Sequence, residues 1–199
     1  MHDIGQNLST EDKKDLLDAI SLQVSLCDQC DLHRNRIGFV SGHGNLNADV
    51  MFIGEGPTKL ECKQDILFVE QSGETLDRIL KKIGVNRDDI FFSNIVKCCH
   101  SSARDPRPAE LFSCRNHLEN QIHIISPKIL VAMGGFASNS LLQTQGSMKR
   151  LRGKWCNCKI YGLENYFVMC TYHPASIFRS PENEDLITQD LEFVFSQLK

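Results

Sequence analysis

Val50-Met51-Phe52-Ile53-Gly54-Glu55-Gly56-Pro57 decides the fold. Its four consecutive apolar residues closed by a glycine read as a short buried strand, and the polar residues that follow stand at the strand's carboxyl end. Working outward, the pattern repeats. Ile90 to Val96 and Ile129 to Met133 read as further strands, and Tyr166 to Tyr172 as a fourth.

Helical periodicity fills the gaps between them. Ser9 or Thr10 can cap a helix over about 10–26, in which Leu16, Ile20 and Val24 recur every fourth residue. Leu76 to Ile83 puts Leu76, Ile79, Leu80 and Ile83 on one face and stops at Gly84. Ala109 to Ile125 is bounded by Pro108 and Pro127, Gly134-Gly135 opens a short helix through Leu142, and a last helix carries Leu186, Leu191, Val194 and Leu198. Strands alternating with amphipathic helices predict an α/β domain around a mainly parallel, four-stranded central sheet. At 199 residues the chain fits one domain over 1–199.

Ligands of such sheets gather beyond the carboxyl ends of the strands. Three strands end in suggestive residues: Glu55 and Gly56 after the first, Asn94 at the end of the second, and His173-Pro174 after the fourth. With the nearby Phe68, these supply a carboxylate, an amide, an imidazole and a ring. An amide can read a nucleobase edge, a ring can stack on its face, and an imidazole can stabilise charge on a leaving group. Each has a plainer explanation as a turn cap, a core aromatic, a solvated acid or a loop histidine. Shared location is what argues for chemistry.

The net charge of −3 speaks against a nucleic-acid partner only as an average. No Asp or Glu occurs from Asn120 to Leu163, while Lys128, Lys149, Arg150, Arg152, Lys154 and Lys159 do, so the remainder of the chain carries −9. No apolar run reaches the roughly 18 residues of a membrane span, and the first residues carry no secretory pattern, which predicts a cytosolic protein.

Nine cysteines, an odd number without an export signal, favour reduced thiols and metal ligation over disulfides. The tight pair Cys27 and Cys30, with the distant Cys98 and Cys114, can hold one metal ion or one iron–sulfur cluster and staple a loop to the body of the domain. Taken singly, each is equally a buried thiol. Spacing alone does not separate zinc from iron–sulfur.

In order, Gly54-Glu55-Gly56-Pro57, Phe68-Val69, Asn94-Ile95-Val96-Lys97-Cys98, Arg104-Asp105-Pro106, Cys114 and Thr171-Tyr172-His173-Pro174 resemble the motifs of the iron–sulfur uracil-DNA glycosylases called family four. The resemblance spans about Cys27 to Arg179. It implies a three-layer α/β/α fold, a structural [4Fe-4S] cluster on Cys27, Cys30, Cys98 and Cys114 within segments 27–30 and 98–114, and uracil-containing DNA as substrate; for a chain of this size a monomer is the default. Cys98 is preferred to Cys99 because Lys97-Cys98 falls on the family's Lys-Cys.

Carried over by position, Phe68 stacks on an extruded uracil, Asn94 binds its polar edge, and Gly56 lies in the substrate-binding motif. Glu61 matches the position packed near carbon five that helps exclude thymine. Glu55 positions or activates water, and His173 stabilises charge on the uracil oxygen. Arg179 resembles part of a loop that enters the duplex, and Lys149, Arg150 and Arg152 are the expected DNA contacts.

The chain departs from the family pattern at Thr58, Cys62, Glu70-Gln71 and Cys99-His100-Ser101. Thr58 restricts a backbone that Gly leaves free, and Glu70 adds negative charge near a phosphate site. These differences motivate a second reading, a weakened DNA-binding relative or one with altered base specificity. A zinc-stapled structural protein is a third. No basic, His-containing insertion follows Phe68, so the covalently trapping variant is not indicated.

Overall fold

In the computed structural model, which describes residues 8–100, 104–160 and 162–198, the order of elements is as follows. They are α1 (Thr10–Leu26), β1 (Arg36–Phe39), β2 (His43–Gly44), β3 (Val50–Gly54), α2 (Lys59–Gln64), α3 (Glu70–Lys82), β4 (Ile90–Asn94), β5 (Cys98–His100), α4 (Pro108–Ile125), β6 (Ile129–Met133), α5 (Gly135–Leu142), α6 (Met148–Leu151), β7 (Trp155–Asn157), β8 (Phe167–Thr171) and α7 (Asn183–Ser196). Short 3-10 helices cover Asp31–Asn35, Arg87–Asp89 and Pro174–Phe178. Ser101, one of the departures named above, lies outside the described residues.

The central sheet has six strands, in the order β2-β4-β3-β6-β8-β7, and this corrects the expectation of four. The four expected strands form its parallel middle, while β2 and β7 pair antiparallel at the two edges. His43-Gly44 and Trp155-Cys156-Asn157 are too short and too polar to carry a strand period, so only pairing with a finished neighbour makes them strands. A separate two-stranded ribbon joins β1 to β5, with Phe39 opposite Cys98 and Gly38 opposite Cys99.

Alternate side chains of the parallel strands leave opposite faces of the sheet. Met51, Ile53 and Leu130 pack with Leu118 and Ile122 of α4 and Leu141 of α5. Val50, Phe52 and Val131 pack with Leu76 and Ile79 of α3 and Leu191 of α7. The result is the three-layer α/β/α arrangement. α1 rides outside α4, joined through Ile20, Val24 and Ile124.

Local signals explain the helix starts. Ser9 and Asp12 form a reciprocal capping box on α1. Thr58 and Glu61 form another on α2, a helix the apolar pattern does not announce. Thr58 has φ −73°, an ordinary conformation for any residue, so the strain expected from replacing Gly is absent there. α3 begins at Glu70, ahead of its first apolar position at Leu76, because its first turn is polar. Glu70 itself has φ 59°, the left-handed region where Gly is at ease.

Candidate active site

β3, β4, β6 and β8 all end at the same edge of the sheet, and that edge gathers the expected pocket residues. A methyl group placed on Gly54 would overlap Asn94 Oδ1 and stand 3.0 Å from Phe68 Cζ, so the amide and the ring converge over the end of β3. The Phe68 and His173 rings lie 5.6 Å apart, inclined by 26°. After β6, Gly134 (φ 94°) brings backbone to where a methyl would sit 3.1 Å from His173 Cβ. Only a residue without a side chain fits that approach comfortably.

His173 has a defined protonation state. Burial pushes its imidazole down to about 4, so the ring is neutral near pH 7. Its Nδ1 accepts the Ala175 N–H at 3.2 Å, which leaves the single ring proton on Nε2. The His173 ring beside Phe68 is therefore a neutral imidazole with its N–H on Nε2.

Glu55, half-buried directly after β3, has its carboxyl raised, first by burial and then by the charge of Asp105. Its carbonyl accepts from Val96 N at 3.0 Å, which joins the β3 end to the segment after β4. Gly56 lies against the Val96 side chain.

Glu61 is buried and turned to backbone instead of to the pocket's open space. Its Oε2 accepts from Thr58 N at 2.7 Å and its Oε1 from Phe68 N at 2.5 Å. Burial still raises its carboxyl above the usual range, against these hydrogen bonds. These hydrogen bonds tie the Glu61 carboxylate to the loop that carries Phe68.

Asn94 is itself held from below. The wholly buried Lys97 donates to the Asn94 carbonyl at 2.8 Å, to Ser93 Oγ at 2.6 Å and to Gln121 Oε1 at 2.6 Å, which satisfies all three of its N–H groups. Burial pushes this amine down to about 7. A lysine following the apolar Ile95-Val96 was the available signal for such a role, and sequence reasoning used it only as a motif letter.

The basic residues separate into two kinds. Arg179, Lys149 and Arg150 are exposed. A methyl group placed on Gly135, the first residue of α5, would meet Met148 of α6 at 3.9 Å. Arg152 differs in being engaged within the fold: its guanidinium donates to both oxygens of buried Asp190, at 2.5 and 3.1 Å, and to the Leu186 carbonyl at 2.9 Å. Asp190 also accepts from Thr171 Oγ1 at 2.7 Å, so this carboxylate joins α7 both to the end of β8 and, through Arg152, to the end of α6.

The four cysteines meet at one corner. Cys27 ends α1, Cys30 precedes the first 3-10 helix, Cys98 opens β5 and Cys114 sits in α4, yet all four line one small cavity with Val24, Leu32, Lys97 and His117. Burial chiefly raises the thiols of Cys30, Cys98 and Cys114, and each is raised further by others of the four. Lys97 N donates to Cys114 Sγ at 3.3 Å and Arg36 Nη1 to Cys98 Sγ at 3.8 Å. His117 Nε2, buried and without a hydrogen-bond partner, lies on a residue lining the same cavity. Cys99 turns the other way, to a thiol contact with Cys62, whose own thiol burial pushes up to about 12. Among the described residues, no three His, Cys, Asp or Glu side chains are arranged to hold a single metal ion.

Fold and site together define a doubly covered parallel α/β domain with a ring, an amide and a neutral imidazole at its strand ends and a cysteine corner beside them. The model of the uracil DNA glycosylase superfamily matches residues 41–194, and the chain belongs to that superfamily. It is 34% identical over 190 residues to a type-4 uracil-DNA glycosylase of Thermotoga maritima, covering 94% of this chain and 97% of the relative. It is 35% identical over 185 residues to a type-4 uracil-DNA glycosylase of Saccharolobus solfataricus, covering 90% and 85%. A type-5 uracil-DNA glycosylase of Pyrobaculum aerophilum is 24% identical over 149 residues, covering 67% and 64%. Among the described residues no helix is long and apolar enough to cross a membrane.

Proposed function

We propose that this chain hydrolyses the N-glycosidic bond of uracil in DNA, releasing the free base and leaving an abasic site. The observation that carries the reading is the convergence of Phe68, Asn94 and His173 at one sheet edge, joined to membership of the superfamily. An extruded uracil would stack on Phe68 and present its polar edge to Asn94. Extrusion costs a few kcal/mol, least for a mispaired base.

Uracil leaves as an anion while the sugar develops positive charge, so the reaction needs positioned dipoles more than a strong nucleophile. A neutral His173 with its proton on Nε2 suits that task. It donates to the developing oxyanion without first losing a proton of its own. Glu55, at the mouth of β3, would orient the attacking water and face the cationic sugar. The exposed Arg179, Lys149 and Arg150 supply phosphate contacts, and Arg152 is left out because Asp190 already engages it.

The cysteine corner fits a [4Fe-4S] cluster held by Cys27, Cys30, Cys98 and Cys114. Four thiols around one cavity, two of them receiving N–H donors, suit a cage with one thiolate per iron. A single zinc ion would need its ligands drawn to one point. The cluster's contribution is structural, cross-linking the end of α1, β5 and α4.

Purified protein incubated with uracil-containing and matched thymine-containing oligonucleotides tests the reading. Free uracil and alkali-labile abasic sites are expected from the first substrate alone. Binding without release would instead support the weakened DNA-binding relative.

A further inference from the structure

Phe68 has φ 53°, a left-handed conformation that is strained for a bulky residue and persists only where its surroundings enforce it. Neither Leu67 nor Phe68 belongs to a helix or a strand, so their backbone polar groups must be satisfied in some other way. All four are. Leu67 N–H donates to His43 Nε2 at 2.9 Å, and Phe68 N–H to Glu61 Oε1 at 2.5 Å. Both carbonyls accept from one atom, Arg87 Nη2, at 2.8 Å for Leu67 and 2.9 Å for Phe68.

The two outer members of this set are fixed in turn. Arg87 Nη1 donates to Asp77 Oδ1 of α3 at 2.6 Å, and its guanidinium lies 4.6 Å from the centre of the Phe92 ring. The His43 ring stacks on Phe92 at 5.4 Å and 23°, and Phe92 also contacts Phe68 at 5.7 Å. His43 comes from β2, Glu61 from α2 and Arg87 from the 3-10 helix before β4, so three elements grip a two-residue segment.

We propose that His43 and Arg87 are positioning residues: with Glu61 they lock the Leu67-Phe68 backbone so that the Phe68 ring stands ready before DNA arrives. Neither would touch the base. The inference rests on the stacking role given to Phe68 in the proposed function, but the lock itself is a property of the loop. A preformed platform matters because ordering it on binding would subtract from base capture, and small misplacements of a positioning group can slow a reaction about a hundredfold.

The test uses Arg87→Met, which keeps an apolar stem on Phe92 but removes every donor, with His43→Leu and the conservative His43→Gln, whose amide oxygen still accepts from Leu67. Two quantities are read beside single-turnover uracil release: affinity for a duplex with a preformed abasic site, and amide hydrogen exchange over residues 66–70. Release is expected to fall on the order of a hundredfold in Arg87→Met. His43→Leu should lose less and His43→Gln least. Affinity for the abasic duplex, which has no base to stack, should hold within about twofold, well below the roughly tenfold change that 1.4 kcal/mol represents, while exchange at 66–70 accelerates.

Unchanged exchange in folded Arg87→Met and His43→Leu overturns the proposal. So does a fall in abasic-site affinity that parallels the loss of release, because that marks a general structural defect. If the wild-type protein releases no uracil yet exchange accelerates in the variants, the glycosylase reading fails and the lock stands.

Discussion

The strand-end pocket and the cysteine corner lie at neighbouring ends of the same segment, since Lys97 binds the Asn94 carbonyl through its side chain and Cys114 Sγ through its backbone. They are built on opposite plans. The pocket takes Asn94 and His173 from the ends of parallel strands that the hydrophobic core holds, and Phe68 from a loop fastened beside them. The corner takes Cys27, Cys30, Cys98 and Cys114 from a helix end, a loop, a short ribbon and a second helix, which the proposed cluster would cross-link. Damage in the first region should therefore appear in the chemistry, and damage in the second in the fold.

The largest expected effect separates the two directly. Cys114→Ala should give insoluble or iron-free protein, read by soluble yield and iron content, because binding of such a group is coupled to folding. A soluble, stable, iron-loaded variant would remove Cys114 from the ligand set. His173→Ala should lower single-turnover uracil release about 100-fold to 1,000-fold, the usual cost of one oxyanion donor, with little change in melting temperature. Asn94→Ala should behave similarly. A melting temperature that collapses with either variant would erase the contrast between the regions.

pH offers a subtler comparison. His173 titrates at about 4 when folded against 6.5 as a free side chain, so the unfolded chain binds its proton first. Its contribution to stability is fully present above pH 6.5 and declines as pH falls through that value toward 4, by about 1.4 kcal/mol per unit. Denaturant titrations of wild type and His173→Asn should diverge across that window, the variant losing less. Parallel curves would mean that the imidazole is solvated.

The smallest effect concerns Glu70, which holds a left-handed conformation at an exposed site. Glu70→Gly should add up to about 1 kcal/mol to stability by relieving that strain. It should also tighten DNA binding at low salt more than at high salt, since one negative charge is removed. Unchanged stability would show that the loop tolerates the side chain without cost.

How far the chain could be read follows from where its information lies. β3, β4, β6 and β8 are apolar throughout because both faces are buried, so composition marks them. β1, β2, β5 and β7 owe their strand character to partners elsewhere, and no local period marks them. α2 carries a Thr58-x-x-Glu61 capping signature but no apolar stripe to mark the helix that follows it. Motif order singles out Phe68, Asn94 and His173, and the structure brings the Phe68 ring beside both Asn94 and His173. The lock around Phe68 was hidden because His43, Glu61 and Arg87 bind backbone atoms, and backbone leaves no trace in residue identity. The Arg152 ion pair is hidden for a different reason: its neighbours in sequence are basic, but its partner Asp190 is 38 residues away.

The central claim, that Phe68, Asn94 and His173 serve a single flipped-out base, is tested most directly by a crystal structure of the protein with a uracil-containing duplex after cleavage. The account predicts free uracil stacked on Phe68, its polar edge against Asn94 and an oxygen within hydrogen-bond reach of His173 Nε2. Uracil bound elsewhere, or a ring contacting only one of the three, would contradict it.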